Sequence, residues 1–320
     1  MSDRKTLIVP GMKVALVPCP ALGDTTLFLR LAWRLQAAGA QITLASVSLA
    51  SIREYLPGLI VAGDAPPDVV GLAACNDLVI CAVDWLVETK LDNVAYLAGK
   101  KLPRQFKPEE QPVSLRGQVI PGAHNVICRN PKAGKTMVQW IDLYAEEILG
   151  LDLAAPITGF QALPKPADDA ERRVAIFPTT PHVSKNFSTS GFRRLARHLA
   201  VKGWQVEFVG IPPEQQALSA QYPGCTVHAF ADLKGLVDYL RTCSVVISND
   251  SGGGHLGSLL GLRTFTITRR RSDFTWRPGF NDLNQVINPV ISFKWMGNTV
   301  WRPFIPLRRI LSALADVRGC

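Results

Sequence analysis

Residues 245–261 read VVISNDSGGGHLGSLLG. An apolar run is followed by Asn249, Asp250 and Ser251, three glycines, His255 and a helix-like stretch. A strand ending near Ser248 and a helix beginning near Gly253 would leave unpaired N–H groups and a partial positive charge at the glycines. Bare backbone at that point lets a bound anion such as a phosphate come close. His255, in the first helical turn, could donate to the same anion. Asp250 would repel a phosphate and is better suited to accept hydrogen bonds from sugar hydroxyls. The same residues also fit an ordinary helix start, capped by Asp250 or Ser251 with a packing glycine behind it.

Two further stretches carry chemistry. In PCPALGDTTLFLRLAWRL, Pro18–Leu35, a strand runs through a small-residue turn into a helix, and Asp24 follows Gly23 at its start. A carboxylate there could deprotonate an alcohol, or simply cap the helix. In FPTTPHVSKNFSTSGFRRLARHL, Phe177–Leu199, a strand ends in Thr179 and Thr180, and the loop beyond it carries His182 and Lys185. Two hydroxyls and a lysine at a strand's carboxyl end suit phosphate oxygens, although a loop lysine can equally be solvated.

The elements that must hold these residues alternate between strand and helix. Lys13–Pro18, Gln41–Ala45 and Leu78–Val83 read as buried strands. Asp24–Ala38 reads as a helix with Leu27, Leu31, Leu35 and Ala38 on one face, stopped by Gly39. A helical stretch is expected from Trp85 to Leu97 and another from Thr136 to Leu149. Between them, Gly99–Lys135 is rich in Pro, Gly and basic residues and reads as a long functional loop. Gln161–Arg173, QALPKPADDAERR, is the candidate linker. Strands then follow at Val174–Phe177, Gln205–Val209, Thr226–Ala229, Ser244–Ser248 and, as the last, Thr264–Thr268. Helices are expected at Ser188–Val201, Pro213–Gln221, Asp232–Arg241, Gly253–Leu260 and Phe304–Val317. Alternation of this kind implies α/β architecture: two doubly wound parallel sheets with right-handed crossovers, ligands lying beyond the strands' carboxyl ends and in a cleft between the domains.

The chain has 320 residues, 47% hydrophobic and 19% charged, enough for about two domains of roughly 150 residues. Its net charge of +9 is compatible with nucleic acid, an anionic membrane surface, a phosphorylated small molecule or a plain basic surface. Zinc-finger spacing, a heptad basic region and an aromatic stacking signature are missing, which argues against nucleic acid. The N-terminal apolar runs are too interrupted for a signal peptide, and none approaches a membrane span. A cytoplasmic protein with peripheral membrane contact is therefore expected. The seven cysteines lack C-x-x-C spacing and read as reduced thiols, with no metal site among them. The glycine loop is not the dinucleotide G-x-G-x-x-G pattern, which argues against a nicotinamide oxidoreductase.

Taken in order, Gly23-Asp24, Thr179-Thr180 with Lys185, and Asn249-Asp250-Ser251-Gly252 with His255 resemble glycosyltransferase family 9, the heptosyltransferase-like enzymes of lipopolysaccharide assembly. The resemblance runs over nearly the whole chain. It implies a GT-B fold of two facing Rossmann-like domains: 1–160 for the acceptor, 161–173 as linker, 174–303 for the nucleotide-sugar, and a helix at 304–320 packing back on the first domain. It implies inverting transfer that needs no metal or other cofactor. Asp24 would be the general base, and Thr179, Thr180 and Lys185 would contact the donor phosphates. Asp250 would hold sugar hydroxyls, and Ser251, Gly252, Gly253 and His255 would surround the pyrophosphate. The implied donor is ADP-heptose, and the acceptor a core oligosaccharide or related glycan; the charge of the basic segment Gly99–Lys135 suits an anionic glycolipid or oligosaccharide acceptor and could also dock the enzyme on the inner leaflet. The chain departs from the family pattern at KNFS after the lysine and at TRRRSDFTWRPGF, Thr268–Phe280, where Arg269, Arg270 and Arg271 could take over anion contacts or simply be solvated. These departures leave open another nucleotide-sugar, used in O-antigen or capsule synthesis. A non-catalytic sugar-nucleotide-binding protein is a further alternative. A two-domain solute-binding protein is disfavoured by the missing signal peptide.

Overall fold

The computed structural model describes residues 7–63, 65–104, 111–157, 159, 172–272 and 274–315. The expected linker 161–173 lies outside them up to residue 171, as does Cys320. The chain divides into two units, Met1–Ala162 and Leu163–Cys320.

The first unit runs β1 (Lys13–Val17), α1 (Leu22–Ala37), β2 (Gln41–Ala45), α2 (Val47–Ala50), β3 (Leu59–Ala62), α3 (Val69–Cys75), β4 (Leu78–Ala82) and β5 (Val94–Ala98). Three two-residue strands follow, β6 (Ser114–Leu115), β7 (Gln118–Val119) and β8 (Asn125–Val126), and then α4 (Met137–Glu147). The main sheet has six parallel strands in the order β3-β2-β1-β4-β5-β8. Strands β4 and β5 are buried along their whole length, as expected of a parallel sheet covered on both faces.

Helix α1 is fixed by packing and charge. Arg30 grips Asp142 of α4 with two hydrogen bonds, at 3.0 and 2.9 Å, and Arg34 adds a third at 3.1 Å. Burial pushes the Asp142 carboxyl up, but the two guanidiniums outweigh it and hold it below the usual carboxylate range. Thr136 and Gln139 close a reciprocal capping box at the start of α4.

Two sequence expectations change here. The stretch 85–97 does not form a helix. Residues Val94–Ala98 are strand β5, and Leu86, Val87 and Leu91 before it pack on the sheet face made by Ala15, Val79, Val94 and Tyr96. A short apolar run buried on both sides has no periodicity to separate strand from helix. The basic segment also holds more regular structure than a loop: β6 and β7 pair as a hairpin over Arg116 and Gly117, both at positive φ. Arg104–Glu110 is described only at Arg104.

The second unit repeats the plan: β9 (Arg173–Phe177), α5 (Thr189–Val201), β10 (Gln205–Gly210), α6 (Gln215–Gln221), β11 (Thr226–Ala229), α7 (Leu233–Leu240), β12 (Val245–Asn249), α8 (Gly252–Leu259), β13 (Arg263–Ile267) and β14 (Asn284–Ile287). A hairpin, β15 (Phe293–Trp295) and β16 (Asn298–Val300), and helix α9 (Arg308–Ala315) complete it. The sheet order is β11-β10-β9-β12-β13-β14, all parallel. In sequence rank both sheets therefore read 3-2-1-4-5-6, the doubly wound order, and each reverses direction between its first and fourth strands.

The strand at 263–267 is not the last, because β14 and the hairpin follow. The terminal helix has an apolar face buried in its own unit. Ile310 and Leu314 of α9, with Trp301, Ile305 and Leu307, join Val174, Ile176, Phe192 and Phe265 in the second unit's own core.

Candidate active site

In the first unit the reversal point lies between β1 and β4. The turn out of β1 is pinned from α1: the Thr25 hydroxyl lies 3.0 Å from the Cys19 carbonyl and 3.1 Å from that of Ala21, and the Thr26 hydroxyl donates to Gly23 at 2.6 Å. Asp24 therefore sits in the first turn of α1, whose N-cap residue is Ala21. Its side chain is not the cap. Burial, with the negative charge of Asp84 added, pushes its carboxyl up to about 6, with Lys100 opposing. Asp84 stands just beyond β4, and the neighbouring Trp85 ring N–H donates to the Pro18 carbonyl at 2.9 Å, tying the two strand exits together. Burial, with the nearby charges of Asp24 and Asp84 added, pushes the Cys19 thiol up to about 11.

Asp84 was not singled out by sequence reasoning. Its signal was present, an acidic residue directly after the apolar run LVICAV, the mirror of Asp250 after VVISN. His124 was passed over as well. It is buried, accepting from the Tyr96 N–H at 3.0 Å through Nδ1, with Nε2 2.6 Å from the Gln111 carbonyl. Burial holds it below the usual histidine range. A ring locked this way is a neutral structural pin beside a recess lined by Glu88, Lys90, Tyr96 and Gln111.

The second unit's reversal point lies between β9 and β12. There Lys185 Nζ meets Asp250 Oδ2 at 3.0 Å. Both line a small recess with Thr268, Arg269 and Arg270. Three cations against one carboxylate leave the recess electropositive. Asn249, fully buried at the end of β12, donates to the Pro178 carbonyl at 2.7 Å and accepts from the Phe187 N–H at 2.9 Å. It clamps both ends of the loop that carries Lys185.

Three of the expected phosphate contacts are engaged elsewhere. The Thr179 hydroxyl donates to Glu214 at 3.0 Å. Thr180 Oγ1 lies 2.8 Å from Asn186 Oδ1 and 2.9 Å from the His182 carbonyl, inside the Lys185 loop. His255 is buried, and its Nε2 must be the protonated nitrogen because it bonds the Trp276 carbonyl at 2.9 Å. Burial holds its pKa below the usual range, against the opposing charge of Asp250. Its Nδ1 is a bare acceptor without a partner, so the ring offers an anion no hydrogen.

The glycines answer to packing. A Cβ on Gly253 would lie 2.6 Å from the Phe177 ring, on Gly254 2.5 Å from Ser248 Oγ, and on Gly257 2.7 Å from Val246. Bare backbone lets α8 lie directly on β9 and β12, which carries its N-terminus to the reversal point. Ser251, the N-cap of α8, makes no capping bond, and its buried hydroxyl has no partner. Among the described residues no three His, Cys, Asp or Glu side chains gather as metal ligands.

The model of glycosyltransferase family 9 (heptosyltransferase) matches residues 123–292, just over half of the chain. No curated protein sequence matches it. Among solved structures, the E. coli heptosyltransferase WaaC with ADP aligns with a TM-score of 0.61 at 18% identity, over 95% of this chain and 99% of that one. The family 9 glycosyltransferase of Veillonella parvula aligns with a TM-score of 0.67 at 15% identity, over 97% of each chain. The E. coli ADP-heptose lipopolysaccharide heptosyltransferase II aligns with a TM-score of 0.63 at 17% identity, over 95% and 98%. At such identities the likeness establishes the GT-B fold. With the family match, it makes this chain a glycosyltransferase of family 9, the heptosyltransferase family.

Proposed function

We propose that the enzyme transfers a heptose from ADP-heptose, with inversion and without a metal ion, to an anionic glycolipid or core oligosaccharide at the inner membrane leaflet. The observation that carries this reading is the Lys185–Asp250 pair in its arginine-lined recess. It offers a cation for a phosphate and, 3.0 Å away, a carboxylate for sugar hydroxyls. The ammonium keeps further N–H donors after engaging Asp250. A relative of the same fold was solved with ADP and with ADP-2-deoxy-2-fluoro heptose.

In the proposed step Asp24 takes the proton of the acceptor hydroxyl. The oxygen forms its bond to the anomeric carbon on the face opposite the nucleotide. The bond from that carbon to the β-phosphate oxygen breaks, and its electron pair leaves with ADP. The negative charge that develops there is met by Lys185, Arg269, Arg270 and the N-terminus of α8, with the Ser251 hydroxyl as a further donor. These positive groups supply what a metal ion would otherwise provide.

Thermal melting against ADP, UDP, GDP, CMP and their sugar conjugates tests the donor. A ligand at 100 times its Kd adds about 2.7 kcal/mol. ADP should raise Tm, and ADP-heptose should raise it further. A shift confined to another nucleotide would contradict the ADP-heptose assignment and move the enzyme to another glycan.

The role of Asp84 has its own test. Its charge raises the Asp24 carboxyl, so Asp84→Asn should move the acid limb of kcat/KM to lower pH. An unmoved limb would show that Asp84 does not act on the base.

A further inference from the structure

The hairpin β15–β16 lies just past the family match, which ends at residue 292. It exposes what a folded chain normally hides. Phe293 is 45% exposed, Trp295 65% and Met296 87%, and Val290 and Ile291 before them are exposed as well. Phe293 and Trp295 are two residues apart on one strand and so share a face, with Val300 opposite Phe293. Lys294 points to the other face. Met296 and Gly297 form a two-residue turn with φ of 45° and 78°. Turns of this type favour Asn or Asp at the first position. A methionine there presents an apolar tip where ordinary turn chemistry would place a polar one.

The base of the hairpin is rigid. Trp301 is buried against Phe187, with ring centroids 6.3 Å apart, and Phe293 contacts Phe304 at 6.1 Å. Arg302 donates to the Asn186 carbonyl at 2.6 Å and to that of Val183 at 3.1 Å, so the hairpin is anchored to the Lys185 loop.

We propose that this hairpin is a membrane-docking element that inserts Trp295, Met296 and Phe293 into the headgroup region of an anionic bilayer. Charge selects the occupant. From Leu283 to Ala315 the chain has four basic residues, Lys294, Arg302, Arg308 and Arg309, and no acidic one. Arg308 and Arg309 are exposed. Tryptophan beside lysine on an apolar tip is the composition that settles at a lipid–water interface. Size agrees. Two three-residue strands span roughly 10 Å, a depth suited to interfacial insertion and small for a stable protein–protein interface. Docking here would hold the second unit's anion recess near the leaflet, whichever nucleotide it binds, so the proposal stands apart from the donor assignment.

Vesicle co-sedimentation of the full chain tests it, with phosphatidylethanolamine and phosphatidylglycerol in a three-to-one ratio against phosphatidylcholine alone. Binding is expected to the anionic vesicles, weakened by salt, and Trp295→Ser with Met296→Ser should weaken it by about tenfold or more. Lys294→Glu should weaken it as well. All three positions are exposed, so nucleotide-dependent melting should be retained, which confirms that the variants fold. Binding unchanged in the double variant would overturn the proposal, as would absence of binding by the wild type. Concentration-dependent self-association lost in the double variant, without vesicle binding, would assign the tip to a second copy and overturn it too.

Discussion

Asp24→Asn is expected to lower turnover by about a hundred- to ten-thousandfold, the usual worth of a positioned base. ADP-induced stabilisation should survive, because the groups proposed to hold the nucleotide belong to the second unit. Stability distinguishes this role from a structural one. The Asp24 carboxyl is raised from 3.8 to about 6 by burial and by Asp84. A carboxyl raised on folding stabilises the fold most below its unfolded value, and that contribution is lost as pH rises through about 6. At neutral pH the ionised group costs stability, by up to about 3 kcal/mol at about 1.4 kcal/mol per unit. The asparagine variant should therefore melt higher than wild type at pH 7.5 and show little difference at pH 4. A helix cap would behave in the opposite sense, since removing one costs about 1 kcal/mol. Steady-state kinetics with calorimetry at the two pH values reads both. Turnover near wild type would remove Asp24 from catalysis, and a lower Tm at pH 7.5 would show that its carboxylate supports the fold.

Lys185→Ala is the second large expectation. A charge-assisted contact contributes about 1.5–3 kcal/mol, so ADP affinity should fall by roughly ten- to a hundredfold. The variant also releases Asp250 from its 3.0 Å partner. Lys185→Arg should recover part of the affinity, since the charge remains while the shape changes. Titration calorimetry with ADP measures it. Unchanged affinity in the alanine variant would mean that Lys185 only holds Asp250 and that Arg269 and Arg270 carry the phosphates.

Asp24 and Asp250 were legible in the sequence because each lies next to a strand exit that the local pattern marks. Gly23-Asp24 follows a buried apolar run, and Asp250 follows another. Local pattern also placed the eight strands it marked to within a residue at each end. It could not place what depends on strand order. Asp84 is 60 positions from Asp24, and only the insertion of β4 beside β1 brings their charges together. The strand β5 was hidden by complete burial, which erases the alternation that identifies a half-exposed strand. The short β14 follows a 16-residue connection and carries little apolar signal. The glycine run shows a different gap. Sequence left two readings of the bare backbone, an approaching anion or a packing glycine, and contacts with Phe177, Ser248 and Val246 show the close helix–sheet packing. The anion-binding potential follows from where that packing puts the helix end. His255, Thr179 and Thr180 carry suitable groups in suitable places, yet their hydrogen bonds with Trp276, Glu214 and Asn186 direct them into the fold.

The most direct measurement of the central claim is the pH dependence of kcat/KM for sugar transfer from ADP-heptose. With a carboxylate base raised by burial and by Asp84, the acid limb should fall as a single ionisation near pH 6, and Asp84→Asn should shift it downward. A profile flat from pH 8 to below pH 5 would contradict the assignment of Asp24 as the base.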